Sequence, residues 1–211
     1  MKKTPRHRRD TLLSPPVAQA VRRAIFDAML HAASAGWSDD EPLSVAPAPQ
    51  PIAPGLLAAA HGEPQRESMQ ALYAGCLVHY RRTVGDGPGE RDDVVAAVAH
   101  FVAANMQALH GITITPAMLL SLHRQLAGVA RLSSDWDRAG ERGRQVFFEK
   151  MAIVAVLVDQ TWTRAQALGP TAIANVQRGA RAYLHELLGF DPDRLTLSDD
   201  GLGIAPAAIS A

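Results

Sequence analysis

The chain has a single cysteine, Cys76, among its 211 residues. An internal disulfide is therefore impossible and a cysteine-rich metal site is excluded, which fits a reducing compartment. Aromatic residues are scarce, at 5%, and the abundance of alanine favours helices over pleated sheet. An excess of one charge is also missing, since 21 Lys and Arg balance 21 Asp and Glu. No whole-molecule field draws the protein toward nucleic acid or anionic lipid, so an electrostatic partner needs a local patch. Long apolar runs are absent too. The most apolar stretch, Met151 to Val158, lies between Lys150 and Asp159, far short of the roughly 20 residues that cross a membrane. Ser14-Pro15-Pro16 and Arg22-Arg23 interrupt the amino-terminal runs before they reach signal-peptide length. A cytoplasmic location is expected, with non-classical secretion left open.

What the chain does have is helical periodicity with clear stops. Residues 1–14 form a basic arm, with five Lys or Arg against one Asp in the first ten, and are expected to be disordered in isolation. Ser14 caps an expected amphipathic helix within 15–36, with Pro15 and Pro16 in its first turn and Val17, Val21, Ile25 and Met29 along one face. Pro42, Pro47, Pro49, Pro51 and Pro54 then remove backbone donors and fix φ, so 37–56 reads as an extended linker.

Residues 57–198 read as the helical domain, with helices near 64–82 and 90–109, one capped by Thr115 and opened by Pro116, one from about 135 to 168, and one near 170–188. Over Met151 to Val158 the fourth of these is apolar all round, which places it at the centre of the others. Gly85-Asp86-Gly87-Pro88-Gly89 reads as a turn between helices, Leu195-Thr196-Leu197 as extended but unpaired, and 199–211 as a flexible tail. The expected fold class is all-α. It is an antiparallel helical bundle of about five helices with a long central helix, preceded by a separate N-terminal helix and the proline-rich linker.

The run RQVFFEKMAIVAVLVDQTWTRAQ, the helix ending ARAYLHELLG, the segment FDPDRLTLSDDGL and the earlier DVVAAVAHFVAANMQALHG with ITITPAMLLSLHRQL resemble a family of uncharacterised bacterial proteins known only as a domain of unknown function. The resemblance covers residues 69 to 202, mostly at apolar helical positions. It implies a bacterial source and a helical domain. Many members of that family carry an export signal, which is not read here, and the family supplies no catalytic residues to transfer.

The residues that could carry chemistry fit plainer structural roles. The eight histidines include no zinc helix motif, because His185-Glu186 is followed by Leu187-Leu188-Gly189 and the second histidine is missing. His100 and His110 are ten residues apart, and His79 and His123 can meet only through tertiary packing. Glu149 and Asp159 lie ten residues apart on one helix, about 15 Å of rise, too far to act on one bond. The glycine run lacks the Lys-Ser/Thr of a phosphate loop and carries Pro88 where an amide donor is needed. Cys76, inside an apolar stripe, reads as an inert core thiol. Asn105 and Asp159 each interrupt an apolar stripe. With His100 they define a possible buried polar pocket, for which an interhelical hydrogen bond or a boundary position is the plainer account.

No cofactor, metal or catalytic residue is therefore expected, and the chain reads as non-enzymatic. The leading expectation is protein–protein interaction as an adaptor, chaperone-like or secretion-associated factor. The N-terminal segment would contribute Val17, Val21, Ile25, Arg22 and Arg23 to docking. The alternative is a nucleic-acid-associated regulator in which Lys2, Lys3, Arg6, Arg8 and Arg9 neutralise phosphates in a salt-dependent way.

Overall fold

The computed structural model describes residues 44–46, 49–84, 92–131, 140–189 and 191–205. The basic arm, the amphipathic helix within 15–36 and the glycine turn lie outside the described residues. What is described is mostly helical, with helices α1 (Ala53–Ala58), α2 (Glu63–Thr83), α3 (Val94–His110), α4 (Pro116–Arg131), α5 (Gly140–Leu168) and α6 (Pro170–Leu188). Two small antiparallel pairs accompany them: β1 (Ser44–Val45) with β2 (Asp92–Asp93), and β3 (Leu195–Ser198) with β4 (Gly201–Ile204).

The helices begin and end where side-chain chemistry permits. Asp93 caps α3, its Oδ1 accepting from the Val95 and Ala96 amides at 2.8 and 3.0 Å, which satisfies two of the donors a helix leaves unpaired at its start. At the other end Gly111 takes φ +66°, a left-handed conformation that glycine adopts without steric cost. Thr115 Oγ1 accepts from the Met118 amide at 3.1 Å, and Pro116 needs no partner for the donor it lacks.

The long α5 packs against α1, α2, α3 and α6. Its residues Met151 through Val156 are all buried, so the all-round apolar stretch does lie inside. Phe101 and Met106 of α3, Leu77 of α2 and Leu184 of α6 meet it in one continuous core. Full burial of side chains of this size contributes roughly 1.5–3 kcal/mol each.

Two boundaries differ from the sequence reading. The expected linker 37–56 is, over Ser44–Val45 and Ile52–Leu56, part of the folded body: Ser44 and Val45 pair with Asp93 and Asp92, and Ala53 and Ala58 of α1 are wholly buried. The prolines do not prevent this, because Pro54 occupies the first turn of α1, where a missing amide donor costs nothing. The expected tail beginning at 199 holds β4, whose pairing with β3 buries Leu195, Leu197 and Leu202 and exposes Thr196 and Ser198. The hairpin packs onto α4. Gln125 donates from Nε2 to the Leu202 carbonyl and accepts the Leu202 amide at Oε1, both at 2.9 Å.

Candidate functional site

Three polar groupings interrupt the apolar interior. In the first, Glu149 on α5 is fully buried. Its Oε2 accepts the backbone amides of Ile52 and Ala53, each at 2.7 Å, and its Oε1 accepts from Gln145 Nε2 at 2.8 Å. Three donors on one carboxylate offset the cost of taking it out of water. Ile52 is the residue that opens α1, so a side chain of the central helix caps a distant short one.

The second grouping joins the start of α3 to α2 and α4. Arg81 of α2 grips Asp92 with two bonds, Nε to Oδ1 at 3.1 Å and Nη2 to Oδ2 at 2.5 Å, and its guanidinium lies 5.8 Å from the centre of the Phe148 ring. Asp93, besides capping α3, meets His123 Nε2 of α4 at 3.2 Å through Oδ2. Burial pushes the Asp93 carboxyl up, but the His123 hydrogen bond and charge and the Ala96 and Val95 amides outweigh it and hold it below the usual carboxylate range.

The third is a cavity of about 380 Å³ walled by α2, α3, α5 and the approach to α4. Its polar lining includes His79 and Thr83 from α2, His100 and Gln107 from α3, and Asp159 from α5. Ala103, Ala104 and Ala155 supply small apolar walls that leave the space open. His100 is half-buried, with its ring edge-on to Tyr80 at 5.9 Å between centres. Burial, helped by nearby His123, lowers its pKa to about 4, so the imidazole is neutral near neutrality.

The structure thus brings His100 and Asp159 to one cavity and leaves Asn105 out of its lining. Asn105 is fully buried, its Nδ2 donating to the Phe101 carbonyl at 2.7 Å one turn back, with Oδ1 unpartnered among the described residues. Asp159 is exposed and meets Gln107 Nε2 at 3.5 Å. The shared inward pocket of Asn105 and Asp159 does not form. Cys76 is buried, and burial pushes its thiol up, which suits core packing. Among the described residues no three His, Cys, Asp or Glu side chains are placed to hold a metal ion, and no helix is long and apolar enough to cross a membrane. Lys2, Lys3, Arg6, Arg8, Arg9, Val17, Val21, Arg22, Arg23 and Ile25 lie outside the described residues.

A family model described as a family of unknown function, DUF6683, matches residues 18–205. The chain belongs to DUF6683. No curated protein and no solved structure matches it. The DUF6683 match begins well before the stretch expected from the sequence motifs and takes in β1 and α1, in keeping with their seat on the bundle. The residues that sequence reasoning missed in this DUF6683 domain had a signal. Gln145 and Glu149 stand four apart among Phe147, Phe148 and Met151, which puts both on a helix surrounded by apolar neighbours. Asp92-Asp93 directly before Val94-Val95 marks a capped helix start.

Proposed function

We propose that this protein is not an enzyme and acts by contact with another protein. The observation that carries this reading is how its buried and half-buried carboxylates are employed. Glu149 is saturated by two backbone amides and Gln145, Asp92 is held by Arg81, and Asp93 is held by two amides and His123. Acids committed to holding elements together are poor candidates for moving protons on a substrate. His100, with a pKa of about 4, is a weak base at neutral pH, where acid–base catalysis favours a group titrating near the working pH.

The contact surface in this reading is the outer side of α2. Leu72 and Val78 are 43% and 49% exposed there, with Gly75 between them carrying no side chain to hold a partner off. Apolar side chains presented beside a glycine suit a partner helix laid alongside. The test is co-purification of the full chain from its native host, alongside a Leu72→Glu, Val78→Glu variant whose thermal unfolding matches the wild type. Loss of the co-purifying protein with the variant supports the reading. Unchanged retention, or a turnover of any substrate that depends on His100, overturns it.

A further inference from the structure

We propose that the cavity between α2, α3, α4 and α5 binds a small organic cation: a protonated amine carried on a compact apolar body. Its volume, about 380 Å³, falls at the lower end of the range for small-molecule sites, enough for one ring or a short branched chain. The charge of the lining is one-sided. Asp159 supplies a carboxylate, and among the described residues no Lys or Arg lines the space. The exposed position of Asp159 and its long 3.5 Å contact with Gln107 leave the carboxylate accessible to a stronger donor.

The walls fit the rest of such a ligand. Ala103, Ala155 and Val156 are buried side chains with no polar atoms, and Ile114 and Leu119 close the same space from the start of α4. Tyr80 lines the same space, its ring packed at a steep angle against His100 and Phe148. His100, uncharged near neutrality, adds no repulsion. An anion would face Asp159, with no Lys or Arg among the described lining residues to offset it. A metal ion is disfavoured by the absence of a three-ligand group among the described residues.

The experiment titrates isotope-labelled full chain with phenethylamine, phenethyl alcohol and phenylacetate, following backbone amide and histidine ring signals by NMR. The expected result is saturable shifts from phenethylamine centred on His79, His100, Ala104 and Asp159, with weaker binding of the alcohol and none of the acid. Asp159→Asn, at an exposed position, should weaken the amine about three- to fivefold, the size of one half-exposed ion pair, and leave the alcohol unchanged. Ala104→Trp should abolish both by filling the space; Thr83→Trp, at an exposed position, serves the same purpose if Ala104→Trp does not fold. Equal binding of all three probes, amine shifts elsewhere, no saturable shift, or amine binding undiminished in Asp159→Asn each overturns the proposal. A lysine-bearing peptide that binds at the cavity where phenethylamine does not would also overturn it, in favour of a peptide site.

Discussion

Oε2 of Glu149 lies 2.7 Å from the backbone nitrogen of Ala53, a residue 96 positions away in the chain. This bond and its twin to Ile52 tie the proline-rich segment to the central helix.

Glu149→Ala leaves two backbone amides and the Gln145 side chain without their acceptor in a dry interior. The expected loss is about 3 kcal/mol, read as a lower urea midpoint together with rapid protease cleavage between residues 46 and 62. Glu149→Gln keeps one oxygen for the amides and should cost about 1 kcal/mol. A chain shortened to begin at residue 57 removes the donors rather than the acceptor, strands the carboxylate, and should be destabilised to a similar degree. If Glu149→Ala unfolds at the wild-type midpoint, the tie contributes nothing.

Asp93→Ala removes a helix cap and the partner of His123. A loss of about 1–2 kcal/mol is expected at neutral pH. Because the folded-state pKa of Asp93 lies below the ordinary carboxyl value of 3.8, its contribution is present in full above that value and disappears as the pH falls through the lower, folded-state value. The stability gap between wild type and Asp93→Ala should therefore close on acidification below the carboxylate range. A gap that stays constant there would assign the cost to packing alone.

His100 shifts stability in the same direction, in a higher pH window. Its pKa falls from 6.5 to about 4 on folding, so between those values the unfolded chain binds the proton more readily and stability declines as the pH is lowered. The full effect is about 3 kcal/mol, developed between about 6.5 and about 4. Urea midpoints across this interval should show the slope in the wild type and lose most of it in His100→Gln. NMR titration of the His100 ring should locate its midpoint well below that of an exposed histidine.

Much of this architecture is legible in the residues, and the illegible parts share a cause. Gly169-Pro170 and Gly189 delimit α6 (Pro170–Leu188) as the sequence reading expects, and the all-round apolar run of α5 announces its own burial. That same run hides direction. With apolar neighbours on every side, the stripe does not say whether Asp159 points in or out, and it points out. Helix α1 has six residues, too few to persist alone. Its stability comes from Glu149 and core burial, neither of which is local. For Asn105 the expectation is an interhelical hydrogen bond or a boundary position; it is fully buried, and its amide returns to Phe101 of its own helix. The hairpin did have a local signal in Asp200-Gly201 between short apolar segments, obscured by its nearness to the chain end.

Gly201 is where that hairpin is most sensitive. Its φ of +103° is strained for any residue with a side chain, and an added Cβ would stand 2.8 Å from Gln125 Oε1, the atom that accepts the Leu202 amide. Gly201→Ala should therefore cost about 2 kcal/mol and speed amide exchange at Leu202, since Gln125 must withdraw to make room. Gly203→Ala is the matched control. It lies in the same strand without positive φ, and its nearest neighbour is the Thr196 Oγ1 at 3.1 Å, the end of an exposed side chain that can turn aside. If both alanine variants unfold alike, the strand itself dislikes alanine and the Gln125 contact is incidental. If Gly201→Ala alone is weakened, and Gln125→Ala added to it costs little more, then the seating of the hairpin on α4 depends on the space that glycine leaves.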